Sequence, residues 1–547
     1  MRNLLTCCTG VLLLSTACTD APGLLAEPPV LKVTSPQRSL VQSGTAAILV
    51  TGTVTPNTEG DAIEKVLVNN VQATVDAAGN FRAMIDIKPG ATLIHTVAQD
   101  ADGGIARDTR AVHAGDLRPN GTTIESAVAV ALSKEAFAKI ASAAGPMIEG
   151  LDVGPMLAPM NPMIHKGDED GEDCLFGRVY IDDVNFSKVQ ISLTPKVGGL
   201  TFRAQIDGLD VPGRARYAVS CVNGSNNVRI KATRVVVGGT LTVAPDGMAG
   251  FKTDLLSPTV QITGLDIQAS GVPGTIIDLL RIDQGIQYVI GKFAPMAMKP
   301  MMNQALGALG GPQTLELLGR KLDVQVAPAD VSFDAKGGLV IMDMKMMIQG
   351  TEAAKGFIYT ENGLPQLDPG QGFQLGLADD LMNQMLGQAG TIGLFNLEVP
   401  AEGGTFDNSH IAMTLPPMIS ADPLDGTMKV ILGDMISTFT SHGTPVGKAA
   451  INASIALKIE SANNGYGIAV VLGTPEIHVN TLDDLENATR LEDADLARSV
   501  EVCLAAQISS ISKLLTGIPL PAVAGLQMRN LSVGSDDGYV MVKGALE

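Results

Sequence analysis

Apolar residues recur at every second position over much of this chain, and that spacing predicts β-strands. Between residues 30 and 115, the stretches AAILVTGTV, VLVNNVQATVDAAGNFRAMIDI and LIHTVAQDADG alternate in this way and are separated by Gly, Asn and Asp. The segment DAAGN at 76–80, between Val75 and Phe81, is typical of a hairpin turn. We therefore predict a block of short strands over 30–115.

A helix and then much longer strands are predicted next. Ser133 fits the N-cap of this helix, and Gly145-Pro146 should end it. Its apolar face carries Phe137, Ile140, Ala141 and Ala144. From 176 to 270 the alternation is long, with one apolar face on Val189, Ile191 and Leu193 and another on Leu200, Phe202, Ala204 and Ile206. Such a sheet needs a cover on its apolar side.

The stretch 281–309 has the spacing of a covering helix. Its apolar positions are Ile282, Ile286, Val289, Ile290, Phe293, Met296 and Ala297. Pro295 and Pro300 should kink this helix, because each removes a backbone donor and clashes with the preceding turn.

The second half repeats this plan of strands followed by a helix. Strands are predicted over 321–350, a short helix at 378–386, and more strands over about 392–480. A final helix then carries one apolar stripe of Leu496, Val500, Cys503, Leu504, Ile508, Ile511 and Leu515. It runs into Pro519 and Pro521, which should stop it before a last strand.

Composition narrows the class of protein. The 547 residues include 45% hydrophobic side chains but only 3% aromatic ones, with no Trp and 23 Met, so aliphatic side chains must form the core. Sixty Gly and thirty Pro favour a chain rich in turns and strands. The net charge of −19 argues against nucleic acid as a partner, because phosphates require a clustered basic face.

The first residues have the pattern of an export signal. Arg2 precedes a short apolar core, and Ala17-Cys18 resembles a bacterial lipoprotein box in which the Cys is acylated. We expect a lipoprotein signal peptide over 1–17, a linker over 18–29, and a membrane anchor at Cys18. An ordinary signal peptide cleaved nearby is the alternative. The protein is then exported, to the outer membrane or cell surface, and could face the periplasm.

The sequence contains few candidates for catalytic or metal-binding residues. We predict that the protein is not an enzyme and that it has no cofactor and no metal site. Outside the signal, an oxidising envelope permits a disulfide between Cys174 and Cys221, whereas Cys503 lies on an apolar stripe and should be inert. The acidic segment 165–174 lacks EF-hand spacing and is better explained as a solvated loop than as a calcium site. The six histidines are scattered singly, no G-x-S-x-G motif occurs, and HGTPVGKAA at 442–450 has turn rather than phosphate-loop spacing.

Four segments together resemble a known family. They are VQISLTPKVGGLTF, the helix at 281–309, GFQLGLADDLMNQMLGQAG, and the ending ISKLLTGIPLPAVAGLQMRNLSVGSDDGYVMV. From about 120 onward the chain is similar to the bactericidal/permeability-increasing, lipopolysaccharide-binding and cholesteryl-ester-transfer proteins of the tubular lipid-binding (TULIP) superfamily. The block at 30–115 resembles a bacterial Ig-like β-sandwich, although it lacks the Cys…Trp…Cys pattern of antibody domains.

The resemblance implies an α+β fold: an Ig-like sandwich followed by two tubular barrels, over 120–320 and 321–547, joined by a central sheet in a boomerang. Each barrel would be a curved antiparallel sheet around a long helix, with an apolar pocket for the acyl chains of a phospholipid or similar lipid. The implied lipid-binding residues are Ile282, Ile286, Val289, Ile290, Phe293 and Met296 in the first pocket and Val500, Leu504, Ile508, Ile511 and Leu515 in the second.

The expected function is non-catalytic binding or transfer of lipid at the cell envelope. The acidic chain disfavours the cationic, lipopolysaccharide-neutralising activity of some family members, since like charges would meet. The Ig-like block is expected to be a spacer, with glycan binding as its alternative. A structural or adhesive surface lipoprotein, whose barrels are filled by side chains, is the competing function.

Overall fold

The structure is a computed structural model, and it describes residues 28–57, 62–150, 158–169, 174–247, 250–280, 311–317, 319–351, 356–361, 363–400, 407–421, 428–462, 467–484, 493–516, 526, 528–536 and 538–546. Over these residues the chain is mostly β-sheet with a few helices. The predicted first covering helix at 281–309, the signal segment and the prolines at 519 and 521 lie outside them.

The N-terminal strands form a two-layer β-sandwich. They are β1 Val30–Ser35, β2 Leu40–Gln42, β3 Ile48–Thr55, β4 Ile63–Val68, β5 Val71–Gln72, β6 Thr74–Val75, β7 Asn80–Ile85, β8 Gly90–Asp100 and β9 Ile105–Ala114. One sheet has the order β1-β3-β7-β6 and the other β2-β9-β8-β4-β5. Their facing side chains, such as Val50, Val66 and Phe81, form a separate core. The predicted hairpin turn at 76–80 joins β6 to β7.

The next elements build a long curled sheet. They are β10 Asp116–Arg118, β11 Ile124–Ser133, α1 Lys134–Glu149, β12 Ile164–Gly167, β13 Phe176–Ile181, β14 Lys188–Lys196, β15 Gly199–Val219, β16 Val222–Pro245, β17 Phe251–Thr263, β18 Asp266–Gln268 and α2 Gly274–Leu280. A 3-10 turn spans Ala158–Met160. The sheet has the order β12-β13-β15-β16-β17, with β14 also paired to β15 and β18 to β16.

A central sheet joins strands from distant parts of the sequence. The elements after α2 are β19 Gly311–Leu317, β20 Arg320–Phe333, β21 Gly337–Ile348, β22 Phe357–Tyr359, β23 Phe373–Ala378 and α3 Asp379–Thr391. The order β19-β20-β21-β11-β23-β31-β30 places the last two strands, β30 Met528–Asp536 and β31 Tyr539–Leu546, beside β23. The chain therefore ends by returning into a sheet, as the terminal alternation predicted. The pair β10–β22 forms a separate two-stranded ribbon.

A second long sheet precedes the last helix. Its elements are β24 Leu397–Pro400, β25 Asn408–Ala412, β26 Met418–Ala421, β27 Met428–Ser441, β28 Thr444–Ala462, β29 Gly467–Asp484 and α4 Asp493–Thr516. The order is β24-β25-β27-β28-β29, with β26 paired to β27. The turn between β27 and β28 places His442 and Gly443 at positive φ, which is the geometry of a type I′ hairpin. The segment 442–450 is thus a turn and a strand, as predicted.

The helix α1 differs from the prediction at its C-terminal end. Ser133 caps it by accepting a hydrogen bond from the Ala136 N–H, as predicted. The helix does not stop at Gly145-Pro146 but continues through Pro146 to Glu149. A proline so near the end removes only one hydrogen bond. The Glu149 carboxylate, which accepts from the Val189 N–H at 2.7 Å, ties the last turn to β14.

Candidate functional site

The last helix, α4, carries the predicted second set of lipid-binding residues. Val500, Leu504 and Ile511 are fully buried, Leu515 is nearly so, and Ile508 is half-buried. Their spacing places them on one stripe that packs mainly on β29, and α4 also contacts β24 and α3. Val502, on the opposite side of α4, is 54% exposed. The helix is therefore amphipathic, with its apolar stripe under the second long sheet.

The predicted first set of lipid-binding residues, Ile282, Ile286, Val289, Ile290, Phe293 and Met296, lies outside the described residues. The sheet that they were expected to face is described. On β15, Leu200 and Phe202 are buried, whereas Thr201 and Arg203 are exposed. This alternation continues across β16, so the curled sheet has one apolar and one polar face, as the sequence predicted.

The cysteines fall into two groups in the described residues. Cys174 and Cys221 form a disulfide that ties the loop before β13 to the β15–β16 turn. Cys503 is outside any disulfide, is buried, and lies on the apolar stripe of α4. Cys18, the predicted anchor, is outside the described part of the chain.

The N-terminal sandwich docks on the outer face of the second long sheet, and its role as a spacer stays a prediction. Asn480 on β29 accepts from the Thr109 N–H at 2.9 Å and donates to the Arg107 carbonyl at 2.9 Å. Asn452 on β28 donates to the Thr109 carbonyl, and Ser420 accepts from the Ala91 N–H. These backbone-directed hydrogen bonds fix β8 and β9 against the sheet, since a buried polar group left unpaired is costly.

A cavity of about 360 Å³ remains between the two docked sheets. From the sandwich it is lined by Asn69, Leu93, His95, Val97, Arg107 and Thr109. From the second sheet it is lined by Ser420, Lys429, Ile431, Ser454, Glu476 and His478. We call this cavity the inter-sheet cleft. It lies on the face of β28 and β29 opposite α4, because Ser454 and His478 alternate with inward-facing Ile455 and Val479.

Two histidines meet in the inter-sheet cleft. The ring centroids of His95 and His478 are 4.6 Å apart. His95 Nδ1 lies 3.1 Å from the Thr109 hydroxyl, and His478 Nε2 lies 3.5 Å from a carboxylate oxygen of Glu476. Burial lowers the pKa of His478, with a smaller lowering from Arg107 and an opposing effect of Glu476. Both imidazoles therefore lie in a partly desolvated cavity that also contains the charged side chains of Arg107 and Glu476.

Sequence reasoning missed this cleft, since it treated the histidines as scattered singly. A signal was present in β28. The small polar residues Asn452 and Ser454 occupy positions that alternate with apolar inward-facing ones, yet both are buried. Hydrogen-bonding side chains on the outer face of a strand indicate that something covers that face. The sequence does not identify what covers it.

A second polar cluster lies beside the central sheet. Asp380, at the start of α3, is 2% exposed, and burial raises its pKa to about 7 despite hydrogen bonds from Thr360. The Tyr539 hydroxyl lies within hydrogen-bond distance of the carbonyls of Ser126 and Gly363, and burial raises its pKa to about 12. The Arg118 guanidinium lies 3.4 Å from the Tyr359 ring centre, within the β10–β22 ribbon. The Thr360 contact therefore joins the end of β22 to α3, and the Tyr539 contact joins the central sheet to the loop after β22.

Among the described residues, no group of three or more His, Cys, Asp or Glu side chains is arranged to hold a metal ion. No helix in the same part of the chain combines the length and apolar character needed to cross a membrane.

No family model matches the chain, and no curated protein matches it. Among solved structures, the crystal structure of a lipopolysaccharide binding protein matches with 12% identity and a TM-score of 0.36, covering 78% of this chain and 99% of that one. P47 from Clostridium botulinum A2 matches with 8% identity and a TM-score of 0.24, covering 76% and 96%. P47 of Clostridium botulinum E1 matches with 7% identity and a TM-score of 0.24, covering 78% and 100%.

Proposed function

We propose that this protein binds lipid without catalysis, holding acyl chains between a covering helix and the apolar face of a long sheet. The observation that carries the proposal is the apolar stripe on α4, whose Val500, Leu504 and Ile511 pack under the second sheet. Around the stripe, the inward-facing residues of the sheet are mainly aliphatic, among them Ile451, Ile455 and Val479. Such a surface recognises hydrocarbon rather than a polar head group.

The first and second halves of the chain would bind acyl chains in the same way. In the first half, the described inner face of β15 and β16 offers an apolar wall of Leu200, Phe202, Val235, Val237 and Leu241. The stretch 281–309 would supply the helix over that wall, with Ile282, Ile286, Val289, Ile290, Phe293 and Met296 facing the chains. Transferring each buried methylene of a lipid from water contributes about 0.8 kcal/mol, so a tail of ordinary length gains substantial binding energy.

The proposed location is the bacterial cell envelope. The pattern around Ala17-Cys18 supports an exported lipoprotein anchored by its acylated Cys18, at the outer membrane or cell surface. The docked sandwich occupies the face of the second sheet opposite α4. Docking and lipid binding are therefore compatible.

The direct experiment is lipid analysis of purified protein. Residues 19–547 are expressed in several hosts, extracted with organic solvent, and the extract is examined by mass spectrometry. We expect acyl lipids in near-stoichiometric amounts. Protein that carries none from any host, and takes up no fluorescent phospholipid after delipidation, would instead favour a structural or adhesive surface protein with filled barrels.

Cys503 gives a site-specific test of the same proposal. Its buried thiol lies on the α4 stripe and outside the disulfide. We expect phospholipid to slow alkylation of Cys503 by N-ethylmaleimide in delipidated protein. The matched control is the double variant Cys503→Ser/Val502→Cys, which moves the thiol to the exposed side of α4, where lipid should give no protection. Equal protection at both positions would contradict a pocket beneath the stripe.

A further inference from the structure

The inter-sheet cleft has rigid walls. On one side, the Ala91 N–H donates to the Ser420 hydroxyl at 3.1 Å. On the other side, Asn480 bridges the backbone of Thr109 and Arg107. The two sheets are thus fastened on both sides of the cavity, and its 360 Å³ are comparable with small-ligand sites. Because the walls are already held in place, a ligand that enters the cleft loses little binding free energy in ordering them.

The charged groups of the inter-sheet cleft are mainly cationic. Arg107 and Lys429 are basic side chains on opposite walls, whereas Glu476 is the single carboxylate among the described lining residues. His95 and His478 add two imidazoles that become cationic when protonated. The described lining thus has more positive than negative side chains although the chain has a net charge of −19. Focused positive potential in a cleft attracts anions.

The uncharged lining has two parts. Leu93, Val97 and Ile431 give an apolar floor, and the Ser454 and Thr109 hydroxyls lie beside the imidazoles. A cavity with a few placed polar groups over an apolar floor is typical of sites for small organic molecules. A bare inorganic ion would leave the apolar part of this volume unused.

We propose that the inter-sheet cleft binds a small organic oxyanion, a carboxylate or a phosphate monoester, between the N-terminal sandwich and the second long sheet. Arg107 and Lys429 hold the oxyanion from the two walls, Arg107 by its forked N–H donors and Lys429 as a point charge. The apolar part of the ligand lies on Leu93 and Ile431. Because the cleft and the α4 stripe lie on opposite faces of β28 and β29, this site is independent of acyl-chain binding.

The test is isothermal titration calorimetry on the purified protein at physiological salt with four probes. Phenyl phosphate and benzoate carry an oxyanion on an apolar ring, inorganic phosphate has the anion alone, and benzyl alcohol has the ring alone. We expect phenyl phosphate to bind more tightly than inorganic phosphate and benzyl alcohol not to bind. Vesicles of phosphatidic acid, whose headgroup is a phosphate monoester, identify the source of the anion: competition with phenyl phosphate indicates a lipid headgroup, and no competition indicates a soluble molecule.

Charge variants locate the site. Arg107→Gln and Lys429→Gln should each weaken phenyl phosphate binding about tenfold, the loss of one charge-assisted contact. Glu476→Gln should strengthen binding several-fold, because it removes the one opposing carboxylate, and a merely damaged protein would not gain affinity. Arg82→Gln, an equal change in charge on the other sheet of the sandwich, should leave binding unchanged.

Three results would overturn the proposal. They are no binding of phenyl phosphate or benzoate, equal binding of benzyl alcohol, and full affinity in both Arg107→Gln and Lys429→Gln. Each result is independent of lipid extraction, so failure here leaves acyl-chain binding standing, and failure of lipid binding leaves the cleft standing.

Discussion

Arg38 and Asp434 lie 396 positions apart in the chain and form a buried ion pair of 3.0 Å between the sandwich and the second long sheet. The Asp434 side chain has no exposed surface. Its other carboxylate oxygen accepts from the N–H groups of Ser39 and Ala111. Asn452 of the neighbouring strand contacts both the Asp434 carboxylate and its backbone N–H. One carboxylate therefore fastens the turn before β2 and strand β9 of the sandwich to β27 and β28 of the sheet.

Removing Arg38 should destabilise the docked state. In Arg38→Met, the buried Asp434 carboxylate loses its charged partner, and breaking such a pair costs about 3 kcal/mol or more. Urea denaturation followed by circular dichroism should show the corresponding fall in stability. Arg214→Met is the matched control, since the Arg214–Asp182 pair is exposed and such pairs contribute little. Equal losses in the two variants would contradict the role of the buried pair.

Gly433 tests the closeness of the two docked sheets. A Cβ at this position would lie 2.5 Å from Ala111 Cβ, closer than real carbon atoms approach. Gly433→Ala should therefore push β9 away from β27, at a cost of about 1–3 kcal/mol. Hydrogen exchange at the Ala111 and Thr109 N–H groups, which donate across the interface, should become faster. Gly534→Ala, where the added Cβ meets nothing within 4 Å, is the control and should change neither rate.

The repeating patterns made much of the fold predictable. The stripe on α4 extends over several turns, so helical spacing is unmistakable, and of its predicted residues all but the half-buried Ile508 are buried. The faces of β14 and β15 were predicted correctly for the same reason. The C-terminal end of α1 was not predicted correctly. The helix is extended by the contact between Glu149 and Val189, and Val189 belongs to strand β14, which local sequence patterns do not connect to α1.

The docking of the sandwich could not be predicted from local patterns. Alternation along a strand states which residues share a face, but not which sheet covers that face. His95 and His478 belong to separate sheets and meet only because Asn452, Asn480 and Asp434 bind backbone groups of β9. Those three residues look like ordinary surface positions in the sequence. Their burial becomes meaningful only when the partner strand is known.

His113 should make the stability of the protein depend on pH. Burial in the interface lowers its pKa to about 4 from 6.5, and neither ring nitrogen has a hydrogen-bond partner among the described residues. The unfolded chain therefore takes up this proton more readily than the folded one, so stability is greatest above pH 6.5 and falls as the pH drops toward 4.

The variant His113→Leu should remove that part of the pH dependence. Relative to the unaltered protein, its free energy of unfolding should rise by about 3 kcal/mol between pH 7 and pH 4. Urea denaturation at several pH values measures the difference. His410→Leu, at an exposed position of β25, should leave the pH dependence as it is. Parallel curves for His113→Leu and the unaltered protein would contradict a buried neutral imidazole.

The contribution of Asp380 to stability should depend on pH in the opposite direction, because burial raises the pKa of its carboxyl group to about 7. The folded state favours the protonated acid, so this contribution to stability is complete below pH 3.8 and is lost as the pH rises through 7. In Asp380→Asn, the neutral amide oxygen can still accept from the Thr360 N–H, which lies 3.0 Å from the carboxylate oxygen.

Asp380→Asn should therefore match the unaltered protein near pH 4 and exceed its stability at pH 8 by about 4 kcal/mol. Thermal and urea denaturation at pH 4, 6 and 8 measure the difference, which should open between pH 4 and pH 7. Asp254→Asn, an exposed carboxylate on β17, should show no such trend. If Asp380→Asn is instead less stable than the unaltered protein at pH 8, the folded protein favours the ionised carboxylate and the prediction is wrong.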